Sequence, residues 1–188
     1  MPFIGALFYF SKAPRYIPLP YIKAKLFALA LFTIILPILL YYLLKTTKRV
    51  SSIHLDTTKE RVIPLLLNTV IVILISQRII LINEFTELYF FFIGILLSTM
   101  ACLILAILKF KASIHMIAVS GLLMFFIALS IHFSINIIGT IALFFIIVGA
   151  IATSRLHMNA HTIIELIIGF FVGLMPQLIL LNYWLLKI

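Results

Sequence analysis

Residues 116–152 read MIAVSGLLMFFIALSIHFSINIIGTIALFFIIVGAIA, with no Asp, Glu, Lys or Arg anywhere in the stretch. Little more than Ser134 separates two apolar runs, Met116–Phe133 and Ile135–Ala152. Each is close to the ~17–25 residues that an α-helix needs to cross a bilayer. The pair reads as a tight hairpin of two membrane spans, and that reading sets the fold.

Working outward, four further runs of the same kind follow: Leu26–Leu44, Val62–Ile82, Leu88–Leu108 and Thr162–Leu186. None shows the strict alternation of an outer-membrane strand, so helices are the only spanning element that fits. The composition agrees: 65% hydrophobic residues, 10% charged residues and a mean hydropathy of +1.32. Soluble domains are about 45–50% apolar and roughly 25% charged, so a water-soluble globule is excluded. The expectation is an all-α integral membrane bundle of six transmembrane helices occupying 26–188, preceded by an interfacial N-terminal segment over 1–25. That segment holds an apolar run, Phe3–Phe10, with no basic region before it and Pro14, Pro18 and Pro20 after it. It is too short to span, and reads as interfacial rather than as a cleaved signal peptide. Pro37 and Pro176 lie inside spans and should bend them. Cys102, the single cysteine, can form no internal disulfide or thiolate cluster and reads as a small core residue.

Fourteen Lys and Arg against five Asp and Glu give a formal charge of +9. These basic residues are scattered through short loops, which points to headgroups or an anionic site and away from nucleic acid. Let face A be the side of the N-terminus and face B the opposite side. Counting crossings places Lys45–Arg61, Lys109–His115 and Thr153–His161 together on face B. The same face collects His54, Lys59, Arg61, Lys111, Ser113, His115, Arg155, His157, His161 and Glu165. Stability of an inserted bundle does not require such clustering, so it suggests a site. Charge gives no orientation, because basic residues flank both faces in similar number.

Within TSRLHMNAHTIIE, residues 153–165, His161 and Glu165 are four apart. If the last helix begins near His161, the two share a face. A carboxylate on one imidazole nitrogen fixes the tautomer and frees the other as nucleophile or base. The bland alternative is that Glu165 merely pairs with a cation or lines a wet crevice. His157, His161 and Glu165 could also mimic a metal-binding face, but no fourth ligand and no HExxH string accompany them, so no metal and no cofactor are expected. His132, Asn68 and Asn136 read as interhelical or interfacial hydrogen-bonders, and Gly169 and Gly173 as a close helix contact.

Ser154-Arg155, five residues, His161, three residues and Glu165 resemble the SRxxxxxHxxxD signature of the type 2 phosphatidic acid phosphatase superfamily, which includes vanadium haloperoxidases. Upstream, Ala112-Ser113-Ile114-His115 keeps the Ser and His of that family's PSGH motif but not its Pro or Gly. His54 and Arg61 have the spacing of the Lys and Arg in KxxxxxxRP, with the proline at Pro64 instead of beside the arginine. The resemblance implies catalytic roles for His161 as nucleophile, His115 as acid and base, and Glu165 as the group orienting His161. It implies phosphate binding by Arg61 and Arg155, with Lys111 and Ser113 as further donors. The implied activity is metal-independent hydrolysis of a lipid phosphate or polyprenyl diphosphate through a phosphohistidine. The implied place is a bacterial inner membrane, site toward the periplasm, with the bilayer and a lipid phosphate as partners. The rival expectation is a non-catalytic membrane protein: a small transporter, a scaffold or an inactive relative.

Overall fold

Apolar runs of this length close all their backbone hydrogen bonds internally as helices, and the computed structural model shows them doing so. It describes residues 1–47 and 57–185. Eight α-helices follow in order: α1 Pro2–Lys12, α2 Leu19–Ala30, α3 Leu36–Thr46, α4 Thr58–Leu74, α5 Thr86–Ile107, α6 Ile114–His132, α7 Ile138–His157 and α8 Ile163–Leu185. Among the described residues there is no strand. Six helical stretches are long and apolar enough to cross a membrane, and they coincide with the six runs of the sequence. The first is α2 and α3, joined by a π-helical turn over Leu31–Ile35. Pro37 has no N–H to give to the carbonyl four residues back, and the helix widens just before it.

The central element is α6, whose sequence is apolar on every side and whose helix is buried on most of its length. Its tightest neighbour is α8. A Cβ added at Gly173 would lie 2.1 Å from the carbonyl oxygen of Ile117, and one at Gly169 would lie 3.0 Å from that of Ser113. Only glycine permits this approach, so the GxxxG spacing marks the α6–α8 contact. On the far side of α6, α7 has no buried residue and presents its apolar surface outward.

The N-terminal segment departs from the interfacial expectation. Ala6 and Tyr9 are fully buried, Phe8 packs at a tilt against Phe126 with centroids 4.3 Å apart, and Gly5 abuts Phe91 and Leu122. Eleven residues at 1.5 Å each give roughly 16 Å, about half of a ~30 Å hydrocarbon core. So α1 is a half-length helix packed against α5 and α6, reaching from the face A end to their middle. The crossing helix begins at Leu19, seven residues before the expected start at Leu26. What holds α1 in place is Glu87, only 2% exposed, near the start of α5. Its carboxylate accepts from the Tyr9 hydroxyl at 2.9 Å, pairs with Arg15, and meets His132 Nε2 at 3.1 Å. A carboxylate buried this deeply persists only when so fully partnered. His132 therefore is the interhelical hydrogen-bonder expected, as is Asn68, whose amide donates to Thr99 Oγ1 on α5 at 3.4 Å.

Three helices end without glycine in the same way. Lys109, Ser134 and Asn159 adopt left-handed conformations with φ of 63°, 51° and 50°. After α5, Lys109 N–H donates to Ala106 and Phe110 N–H to Leu105; after α7, Asn159 N–H donates to Leu156 and Ala160 N–H to Arg155. These paired bonds satisfy the last carbonyls and reverse the chain sharply. The reversals after α5 and α7 bring Lys111–Ser113 and His161 back over the bundle end.

Candidate active site

The three face B segments do meet. Arg61, in the first turn of α4, is 4% exposed and donates through Nη1 to the carbonyl of Ala112 at 2.7 Å. Lys111 Nζ donates to the carbonyl of Ala160 at 3.3 Å. His161 answers through Nδ1, which lies 3.1 Å from the carbonyl oxygen of Lys111. The Ser113 N–H donates to the carbonyl of Glu165 at 3.3 Å. Arg61, Lys111, Ser113, His161 and Glu165 thus form one connected cluster built from α4, the α5–α6 loop and the start of α8.

The histidine's protonation pattern follows from its partners. Besides the Lys111 carbonyl, Nδ1 meets Glu165 Oε2 at 3.0 Å. Both partners are acceptors, so Nδ1 carries the proton and the lone pair of the neutral ring is on Nε2. Burial holds the His161 pKa below its usual value; the Glu165 hydrogen bond pulls it up, and the nearby Arg61 and Lys111 charges press it down. The imidazole, with a side chain 5% exposed, is therefore neutral at neutral pH.

Glu165 reaches His161 by a route that helical spacing does not describe. His161 precedes the helix. Thr162 Oγ1 accepts from the Glu165 N–H at 3.3 Å, while Glu165 Oε2 accepts from the Thr162 N–H at 3.0 Å. This reciprocal pair is a capping box, in which the third helical residue folds its side chain back over the helix start. The same carboxylate oxygen that caps α8 thereby takes the His161 proton. The fold-back uses the length of the Glu side chain. The Thr162-x-x-Glu165 string before an apolar run is the sequence signature of this cap.

Two other candidates sit at this end of the bundle. His115 is exposed in the first turn of α6, two residues beyond Ser113. Arg155 is in the last turn of α7, half-buried, and its carbonyl belongs to the chain reversal that presents His161. His54 lies outside the described residues. The Ser113 hydroxyl is buried at the N-terminal end of α6 and has no hydrogen-bond partner among the described residues. A buried, unpaired donor at a helix start beside two cations is suited to an anion. Among the described residues no group of three or more His, Cys, Asp or Glu is placed to hold a metal. Sequence reasoning could not foresee the part taken by the main chain: the carbonyls of Lys111, Ala112 and Ala160 are the acceptors that join the loops.

Compared with family profiles, curated proteins and solved structures, the chain matches none.

Proposed function

We propose that the protein is a metal-independent integral-membrane phosphatase acting on a lipid phosphate or diphosphate at the membrane interface. The observation that carries this reading is the His161 imidazole, whose Nδ1 is within hydrogen-bonding distance of both Glu165 Oε2 and the Lys111 carbonyl, beside Arg61 and Lys111. In the reaction, the Nε2 lone pair attacks phosphorus and the bond from phosphorus to the leaving oxygen breaks. The oxygen takes a proton from His115. The Glu165 carboxylate stabilises the cation that develops on His161 as the phosphohistidine forms. Arg61, Lys111, Ser113 and Arg155 face the charge on the non-bridging oxygens. Water then attacks the phosphohistidine, giving its proton to His115 and releasing phosphate and free His161. No cofactor is required. The resemblance of residues 154–165 to the phosphatase signature supports this chemistry, and with it a bacterial inner membrane and a site facing the periplasm.

A second reading is favoured by one feature. Arg61, Lys111 and Glu165 all make hydrogen bonds to backbone groups that hold loops and helix ends together. On that reading the cluster is a structural clasp in a non-catalytic membrane protein. Phosphate release from phosphatidate, phosphatidylglycerol phosphate, a polyprenyl diphosphate and a lipid A phosphate by purified protein separates the two. Release by wild type that is lost in His161→Ala supports the enzyme. No release from any of the four, with the fold intact, supports the clasp.

A further inference from the structure

An apolar cavity of ≈ 230 Å³ lies inside the bundle, reaching Phe92, Gly121 and Gln177. A second of ≈ 180 Å³ lies between α3 and α4, and the two share Pro37, Asn68 and Ile71. The upper one is bounded by Leu44 and Pro64, and Pro64 is three residues from Arg61 along α4. The two adjoining cavities together form a groove that reaches from Pro64, near Arg61, into the middle of the bundle. Its walls part for a visible reason. Pro37 in α3 and Pro64 in α4 both line it, and proline disrupts regular helix geometry. Almost none of the residues in the crossing helix that includes α3 is buried, so this wall of the groove borders lipid.

We infer that this groove holds one acyl chain of the lipid whose phosphate lies at Arg61. The inference rests on the proposed function for the headgroup but not for the groove. Each cavity is smaller than the ~300–1,000 Å³ that encloses a whole drug-sized ligand, which suits a slender chain and not a headgroup. From Pro64 in α4 to Ile75, which opens the π-helical turn continuing that helix and lines the inner cavity, eleven residues rise about 16 Å. That is the depth of one leaflet of a ~30 Å core. The start of α1, with Met1 and Pro2 on the lining, forms the floor. At the upper end the Tyr41 hydroxyl has no partner among the described residues and lines the groove; an ester or phosphate oxygen would accept from it. An ordinary acyl chain fills this length. A long polyprenyl chain exceeds it.

The test uses full-length protein in phosphatidylglycerol vesicles. The probe is phosphatidic acid with a diazirine near the end of a palmitoyl-length chain. After photolysis, adducts are expected at the deep end of the groove, on Met1, Pro2, Ile75 or Phe92, with a long polyprenyl phosphate competing poorly. Ile71→Trp should abolish that labelling and raise KM for the long-chain substrate, while a dihexanoyl phosphatidate keeps its turnover. Leu67→Trp, nearer the lipid, gives the same test if Ile71→Trp fails to fold. Adducts concentrated instead on the α7–α8 surface at Leu156, Ile163 and Phe170, or spread over all lipid-facing helices, overturn the groove whether or not phosphate is released. Adducts in the groove with no phosphate release from any substrate leave the groove standing and remove the catalytic reading.

Discussion

Glu165→Gln separates the two tasks of that carboxylate. In the wild type one oxygen, Oε2, accepts both from His161 Nδ1 and from the Thr162 N–H, each at 3.0 Å. The Gln amide oxygen can occupy the same place and keep both bonds, so the cap on α8 survives. What disappears is the negative charge facing an imidazole that becomes cationic as it takes the phosphoryl group. Hydrogen bonds to charged groups contribute about 1.5–3 kcal/mol against about 0.5–1.5 for neutral ones. The loss is thus about 1–1.5 kcal/mol, or roughly five- to tenfold in kcat at 1.36 kcal/mol per decade. The side chain is 18% exposed, which keeps the figure at the modest end. Glu165→Ala loses the charge, the orientation of His161 and the carboxylate's half of the capping box, while the Thr162 hydroxyl still caps the residue 165 N–H; it should fall at least about a hundredfold in kcat, in line with the loss of a positioned catalytic group. The assay is phosphate release from phosphatidate by detergent-purified variants, with thermal melts alongside. Wild-type kcat in Glu165→Gln would refute the catalytic part of the argument and leave Glu165 as a cap only.

Four further outcomes follow from the same geometry. Because burial depresses the His161 pKa in the free protein, the acid limb of the kcat/KM profile should fall below the ordinary histidine value of about 6.5, and Lys111→Met should move it upward by removing a cation that presses it down. The same shift makes the unfolded chain bind this proton first as pH drops below about 6.5, so His161 should lower stability on acidification, seen as a fall in melting temperature that His161→Gln reduces. Activity should survive a strong chelator; loss with EDTA that zinc restores would favour a metal on His157, His161 and Glu165. At the opposite end, Glu87→Ala strands the buried Tyr9 hydroxyl and should cost at least about 1–3 kcal/mol of stability while the folded fraction keeps its kcat.

The six spans were legible because bilayer thickness imposes a length and a composition that no tertiary contact can override. The gathering of Arg61, Lys111 and His161 at one end was legible by counting crossings alone. The place of α1 was not, because Phe3–Phe10 has the same apolar character at an interface and inside a bundle. Its docking depends on Glu87, 78 residues from Tyr9 and 72 from Arg15, and no local pattern announces pairs so distant. The four-residue spacing of His161 and Glu165 anticipates their contact, but the contact is made through a capping box and not along a helix face. The acceptors that bind the cluster together are backbone carbonyls, which carry no residue identity, so their use emerges only with the fold.

The central claim is that His161 carries the phosphoryl group. Wild-type protein mixed with phosphatidate labelled with ³²P at its phosphate and quenched in alkali within a single turnover should show label on His161, stable to base, released by acid, and absent from His161→Ala. Phosphate release by wild type with no labelled protein at any time, or label that persists in His161→Ala, would contradict it.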